Sequence, residues 1–389
     1  MIKPRAILDA IKPFYDSPEA IIVTGMRRTG KTTLLELIFS HTESSNKLIL
    51  DLENPINRKY FEETNYERIK SSFTILGLDF AQRAYVFLDE IQLVKNLPSV
   101  VKYFIDHYKV KFFLTGSASF YLKNLFTESL SGRKYIFELF PLTFSEFLSF
   151  KDSPLKLPAD PRQISRPIYE SISPLYDEYV RFGGFPGVVL KSSAAEKERA
   201  LDEIFTSFFQ LEIIELGDFR KNEIVRDMML LLAQRVGSML DIQKISKELR
   251  ITRPTLYKYL AFLEGTFYVK MIRPFSRQRN SEIRKMPKVY LCDSGLAGRL
   301  ARLDGGRLFE NSIFQNLRQK GELGFYRRKN GVEIDFILNK EDGYEVKTTP
   351  QPRDRNLLSR LAHELRLKTY RIVSHSYTEL ENAIYGFMI

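Results

Sequence analysis

The chain has 389 residues, with 59 lysines and arginines against 48 aspartates and glutamates, for a formal net charge of +11. That length allows several domains with real cores, and the basic balance is an electrostatic hint of a polyanion such as DNA, although a plainly charged surface gives the same sum. The lone Cys292 excludes an internal disulfide, His41, His107, His363 and His375 show no metal-ligand spacing, and no apolar run approaches the ~20 residues of a membrane span, so a soluble cytoplasmic protein with no membrane partner is expected.

Ala20-Ile21-Ile22-Val23-Thr24 reads as a buried parallel strand. Gly25-Met26-Arg27-Arg28-Thr29-Gly30-Lys31-Thr32 follows it and fits the phosphate-loop pattern G-x-x-x-x-G-K-[ST], and Thr33 to Phe39 continues as an amphipathic helix. Glycines let the backbone curl so that its N–H groups face phosphate oxygens at a helix N-terminus, where the dipole also favours anions. The cradle is expected to run from Gly25 to Thr33, with Lys31 on the β- and γ-phosphates and the Thr32 hydroxyl on Mg²⁺. ATP and Mg²⁺ are the expected cofactors.

Asp51 ends a further apolar run, and Tyr85-Val86-Phe87-Leu88-Asp89-Glu90 is a strand ending in paired acids. In open α/β sheets ligands bind at that edge. Asp89 is expected to hold the Mg²⁺ shell and Glu90 to polarise the attacking water, a pair that favours hydrolysis over transfer to a small acceptor. Lys111 to Ser117 is another such run, whose Thr115 or Ser117 is expected to touch the γ-phosphate or the lytic water. At least four parallel strands alternate with helices here, which is the pattern of an α/β fold.

Taken together, VTGMRRTGKTTLL, FLDEIQ, FFLTGSA, LSGRKYIFELFPLTFSEFL and YVRFGGFP resemble the AAA-type ATPases of archaea and bacteria allied to the STAND NTPases. KVYLCDSGL, FENSIF and FYRRKNGVEIDFIL with YEVK resemble the C-terminal region those proteins often carry. The resemblance implies an ATPase core, a helical lid, a winged helix and a nuclease-like end. It also makes Arg133 a candidate γ-phosphate-sensing or finger arginine, the latter completing a neighbour's site, and implies a homo-oligomer.

Pro154, Pro158 and Pro161 mark a linker, so the domains are expected at 1–150 (P-loop ATPase), 151–167 (linker), 168–216 (lid), 217–275 (winged helix-turn-helix) and 276–389 (an α/β restriction-endonuclease-like domain). Arg181 is either a lid arginine aimed at the nucleotide or a surface residue. In the winged-helix segment, helices are expected over 223–240, 241–249 and 253–263, followed by a wing strand over 266–272. Arg253, Thr255, Tyr257 and Lys258 are the exposed candidates for a DNA groove, though such modules also serve as packing elements. Arg273, Arg277, Arg279, Arg284, Lys285 and Lys288 suit phosphate-backbone contact or a solvated basic loop.

Near the end of the chain, Glu333 and Asp335 alternate onto one strand face, and Glu345 and Lys347 onto that of the next. Asp, then Glu-x-Lys, is the arrangement of the PD-(D/E)xK nucleases, although Ile334 stands where their leading proline would be. Asp335, Glu345 and the additional acid Glu310 are expected to hold Mg²⁺, with Lys347 orienting water, and a salt-bridged surface hairpin would give the same letters. Two functions fit. One is an ATP-hydrolysing, DNA-associated ATPase with a metal-dependent nuclease domain. The other is an ATP-switched DNA- or protein-binding regulator whose nuclease-like domain is silent.

Overall fold

Alternation of apolar strands with amphipathic helices carries over directly into the computed structural model, which describes residues 3–117, 130, 132–217, 219, 221–275 and 286–389. The chain divides into two units, residues 1–140 with 265–267, and residues 141–264 with 268–389. In the first, α1 (Ile7–Ile11), β1 (Ala20–Thr24), α2 (Lys31–His41), β2 (Lys47–Asp51), α3 (Pro55–Glu62), α4 (Tyr66–Ile75), β3 (Tyr85–Asp89), α5 (Leu97–Tyr108), β4 (Lys111–Gly116) and β5 (Lys134–Glu138) follow in order. The five strands form one parallel sheet in the order β2-β3-β4-β1-β5.

Every residue of β1 and β4 is buried, as a sheet covered on both faces requires. Period-two alternation sorts their side chains. Ile21, Val23, Phe87 and Phe113 pack with Leu34, Leu35 and Ile38 of α2. Ile22, Val86, Leu88 and Phe112 pack on the other face with Val100, Val101 and Phe104 of α5. Each such side chain contributes about 1.5–3 kcal/mol by leaving water, and this fixes the strand ends that carry the candidate site.

The second unit contains α6 (Phe144–Phe150), α7 (Arg166–Phe182), α8 (Pro186–Val189), α9 (Ala194–Phe208), a π-helical stretch Phe209–Glu215, α10 (Asn222–Gln234), α11 (Ile242–Glu248) and α12 (Arg253–Gly265). Then come β6 (Val269–Pro274), β7 (Lys288–Leu291), α13 (Ser294–Ala301), α14 (Gly305–Leu317), β8 (Leu323–Arg327), β9 (Glu333–Leu338), β10 (Asp342–Lys347), α15 (Pro352–Leu365), β11 (Thr369–Ser374) and β12 (Ala383–Tyr385). Their sheet runs β12-β11-β10-β9-β8-β6-β7.

Helix α6 packs in the second unit, where Phe144 and Phe147 lie against Tyr176 and Tyr179 of α7 and the Tyr179 hydroxyl donates to the Leu142 carbonyl at 2.8 Å. Two boundaries of elements differ from the sequence expectation. The helix expected over 223–240 stops at Gln234: Gly237 takes φ 74°, and Val236 and Met239 bridge to β7. The expected wing strand starts at Val269 and pairs antiparallel with β7 and parallel with β8. It is therefore built into the seven-stranded sheet. Among the described residues no helix is long and apolar enough to cross a membrane.

Candidate functional site

The first candidate site lies where β1, β3 and β4 end together. Gly30 takes φ 94°, a left-handed conformation that ordinary side chains resist, and starts α2 at Lys31. The first amides of this eleven-residue helix are left without intrahelical partners at the loop. Lys31, 5% exposed, donates to the Gly25 and Met26 carbonyls at 3.0 Å each, and the Thr29 hydroxyl donates to the Met26 carbonyl at 2.9 Å. Arg5 clamps the loop from outside through the Thr29 carbonyl at 2.9 Å.

Opposite the loop, the Thr32 hydroxyl donates to Asp89 Oδ2 at 2.6 Å. The other oxygen of Asp89 accepts from the Thr115 hydroxyl and from the Glu90 amide at 3.0 Å. Thr115 thus touches Asp89, which β4 makes possible by lying between β1 and β3. Glu90 is buried with φ 54°. Its Oε2 accepts from Gln92 Nε2, which also donates to Ser117 Oγ at 3.0 Å, and lies 3.8 Å from an Arg27 guanidinium nitrogen. These residues fit a nucleotide with Mg²⁺: an ammonium and the start of a helix stand at the loop, and a hydroxyl and a carboxylate meet at metal-sharing distance.

Arg28 is exposed at φ 67°, and Thr33 is exposed on α2. Arg133 is half-exposed and pairs with Asp106 at 2.7 Å. Arg181 pairs with Glu198 at 3.7 Å and lies over the Phe182 ring.

The second candidate site is in the seven-stranded sheet. Lys288 of β7, 2% exposed, has its ammonium 3.4 Å from Asp335 Oδ1, 3.6 Å from Glu310 Oε1 and 3.7 Å from Glu333 Oε1. Asp335 Oδ2 accepts the Val346 amide at 2.9 Å, and the Tyr290 hydroxyl donates to Glu310 at 2.5 Å. Lys347 pairs with Glu345 Oε1 at 2.6 Å, while Glu345 Oε2 is buried without a hydrogen-bond partner. Burial, with Asp335 beside each, pushes Glu310 up to about 7 and Glu345 up to about 8. Burial also works against the charge of Lys288, but Asp335, Glu310 and Glu333 together outweigh it and raise its pKa. The sheet therefore brings Glu310, Asp335, Glu345 and Lys347 into one region and adds Lys288. Among the described residues no group of three or more His, Cys, Asp or Glu is arranged to hold a metal ion.

Lys288 corrects one expectation, because strand pairing on β7 turns it into the acid cluster and away from any phosphate backbone. Arg273 is exposed on β6, whereas Arg277, Arg279, Arg284 and Lys285 lie outside the described residues. On α12, Arg253, Tyr257 and Lys258 are exposed over a buried Leu256, Leu260 and Leu263, as expected.

Sequence reasoning passed over Arg5, Gln92, the role of Lys288, and Asp293. Gln92 was within reach, two residues beyond Glu90 in FLDEIQ. Asp293 is buried and accepts from the Gly184 amide at 2.7 Å, the Leu296 amide at 3.0 Å and Gln315 at 3.3 Å, joining the GGFP and CDSGL motifs. Burial pushes it up to about 6.

Comparison with known proteins finds a family over the stretch that carries the first site. Residues 17–148 match the AAA domain family, an AAA-type ATPase domain that takes in most of the first unit and reaches into helix α6. Residues 173–307 and 305–383 match two families described as domains of unknown function. Relatives include an uncharacterized protein of Haemophilus influenzae, 27% identical over 362 residues (88% of this chain, 85% of the relative). Another, from Methanocaldococcus jannaschii, is 25% identical over 375 residues (92% and 82%). Among solved structures, Caenorhabditis elegans PCH-2 is similar at a TM-score of 0.27 and 16% identity, over 66% of this chain and 62% of that one. A STAND protein with a tetratricopeptide repeat sensor from Pyrococcus horikoshii gives 0.30 and 11%, over 81% and 44%. Likenesses at these TM-scores carry no weight for function.

Proposed function

We propose that this chain is an ATP-hydrolysing, DNA-associated ATPase whose second unit carries a winged helix-turn-helix and a nuclease-like domain. The observation that carries the hydrolytic part is the 2.6 Å bond from the Thr32 hydroxyl to Asp89, with Glu90 as the next residue. Thr32 and Asp89 are the residues that would hold Mg²⁺, which when bound offsets charge on the phosphates. Lys31 and the amides opening α2 bind and orient the phosphate chain. Glu90 takes the water proton, and Gln92 and Arg27 hold its carboxylate in place.

DNA association is supported by the exposed Arg253, Tyr257 and Lys258 and by the +11 charge. Three helices followed by a β6–β7 hairpin, with Val236 and Met239 bridging β7, support the winged-helix reading. The order α14-β8-β9-β10-α15-β11 supports the nuclease-like reading, because it gathers Glu310, Asp335, Glu345 and Lys347. Of its cutting and silent forms, the Lys288 ammonium among the acids favours the silent one.

The test of hydrolysis is steady-state ATP turnover. Lys31→Ala is expected to lose nucleotide binding, whereas Glu90→Gln keeps ATP bound and turns over a hundredfold or more slower, the effect of losing about 3–4 kcal/mol of transition-state positioning. Normal turnover by Glu90→Gln refutes the role of Glu90. For the terminal domain, labelled linear, branched and single-stranded DNA are incubated with Mg²⁺ or Mn²⁺, with and without ATP. The silent form expects no cutting, and cutting that Asp335→Ala abolishes refutes it.

A further inference from the structure

Three carboxylates of the terminal domain converge on one point, and that point already holds a cation. Lys288 Nζ lies 3.4 to 3.7 Å from oxygens of Asp335, Glu310 and Glu333. Its stem comes from a fully buried strand, and its ammonium lies 5.5 Å from the centre of the Phe325 ring. Gly237 closes in beside Glu310, where a Cβ would come within 3.1 Å of Oε2. A side chain held by strand pairing, an aromatic face and three acids is a permanent part of the site.

Mg²⁺ and Mn²⁺ need carboxylate oxygens at roughly 2.0–2.2 Å with their lone pairs free. Here those lone pairs face an ammonium, and a divalent ion placed among them would meet its positive charge at contact distance. The residues present therefore do not fit a resident metal while Lys288 is in place. A separate observation supports room for a cation beside Asp335 once the lysine charge is gone. Glu345, 8% exposed, gives one oxygen to Lys347 and keeps Oε2 buried with no hydrogen-bond partner. Buried carboxylate oxygens are normally satisfied, and one that is not leaves an open acceptor for a proton or a cation.

We infer that the terminal domain is a divalent-cation site closed by its own lysine: the Lys288 ammonium supplies the charge a Mg²⁺ or Mn²⁺ would supply, and removing it opens the site. This deepens the silent-domain form of the proposal above. Its readout is metal binding by the full chain without nucleotide, so it can fail while the ATPase reading stands, and the ATPase reading can fail while it stands.

The test is Mn²⁺ titration followed by electron paramagnetic resonance. Wild type is expected to bind no Mn²⁺ that Asp335→Asn removes. Lys288→Met keeps the apolar stem and drops the charge. It is expected to gain one equivalent, at least ~10-fold tighter than any wild-type binding and abolished by adding Asp335→Asn. Thermal melts read the same gain, with Mn²⁺ raising the melting temperature of Lys288→Met and leaving wild type unmoved. An Asp335-dependent Mn²⁺ in wild type overturns the inference, and so does a folded Lys288→Met that binds none. If Lys288→Met does not fold, Lys288→Gln takes its place, and the comparison of wild type with Asp335→Asn still decides.

Discussion

Thr115→Val removes one hydroxyl at nearly constant shape and tests how the metal-binding acid is held. Asp89 is 5% exposed and accepts three donors, the hydroxyls of Thr32 and Thr115 and the Glu90 amide at 3.0 Å. Valine keeps the methyl that packs in β4 and deletes the donor to Oδ1, leaving that oxygen only the amide. A hydrogen bond to a charged group contributes about 1.5–3 kcal/mol. If all of it goes into holding Asp89 ready for metal, losing it raises the half-saturating Mg²⁺ for ATP turnover by roughly 10–100-fold. Thr115→Ser restores the donor and is expected to return most of the effect. ATP binding in the presence of a metal chelator should be unchanged, because no phosphate contact is lost. Equal loss of nucleotide binding without metal would place Thr115 on the phosphate itself, and an unchanged Mg²⁺ requirement in the folded variant would remove it from the site.

Arg133 pairs with Asp106 at 2.7 Å, so a finger role requires it to leave that partner. Arg133→Ala is expected to slow turnover ~10³-fold, and mixing it with Lys31→Ala to recover activity; no recovery between assembled mutants refutes action on a neighbouring subunit. Neutralising Arg253 and Lys258 on α12 should lower the magnitude of the log–log salt slope of DNA binding by about two, whereas an unchanged slope means the helix faces a protein. Burial raises Asp293 from 3.8 to about 6, so the folded state holds its proton more tightly, and stability falls as pH rises from about 4 to about 6 and is level above. The loss is about 3 kcal/mol, and denaturation midpoints of wild type and Asp293→Asn should converge or cross by that amount; a difference independent of pH refutes it.

Local pattern alone carried the nucleotide site. Gly25 to Thr32 after an apolar run, and Asp89-Glu90 after another, are short stretches whose backbone shape and chemistry are set by their own residues, and the Thr32–Asp89 bond joins them. The parallel strands and the exposed face of α12 were legible for the same reason, since burial repeats with the period of the element. What crosses from one element to another was not. Sequence spacing gives no strand order, so the contact of Thr115 with Asp89, which β4 makes by lying between β1 and β3, was not legible beside the expectation that Thr115 or Ser117 touches the γ-phosphate or the lytic water. Lys288 read as one of a basic run, because the register of β7 on β6 that turns it inward depends on pairing with distant residues. Helix α6 packs its Phe144 and Phe147 on Tyr176 and Tyr179 of α7, a contact that the prolines after it do not announce. Asp293 gained its partner at Gly184 across 109 residues of chain. Contacts of that range come from packing free energy summed over whole elements, which no local stretch of sequence contains.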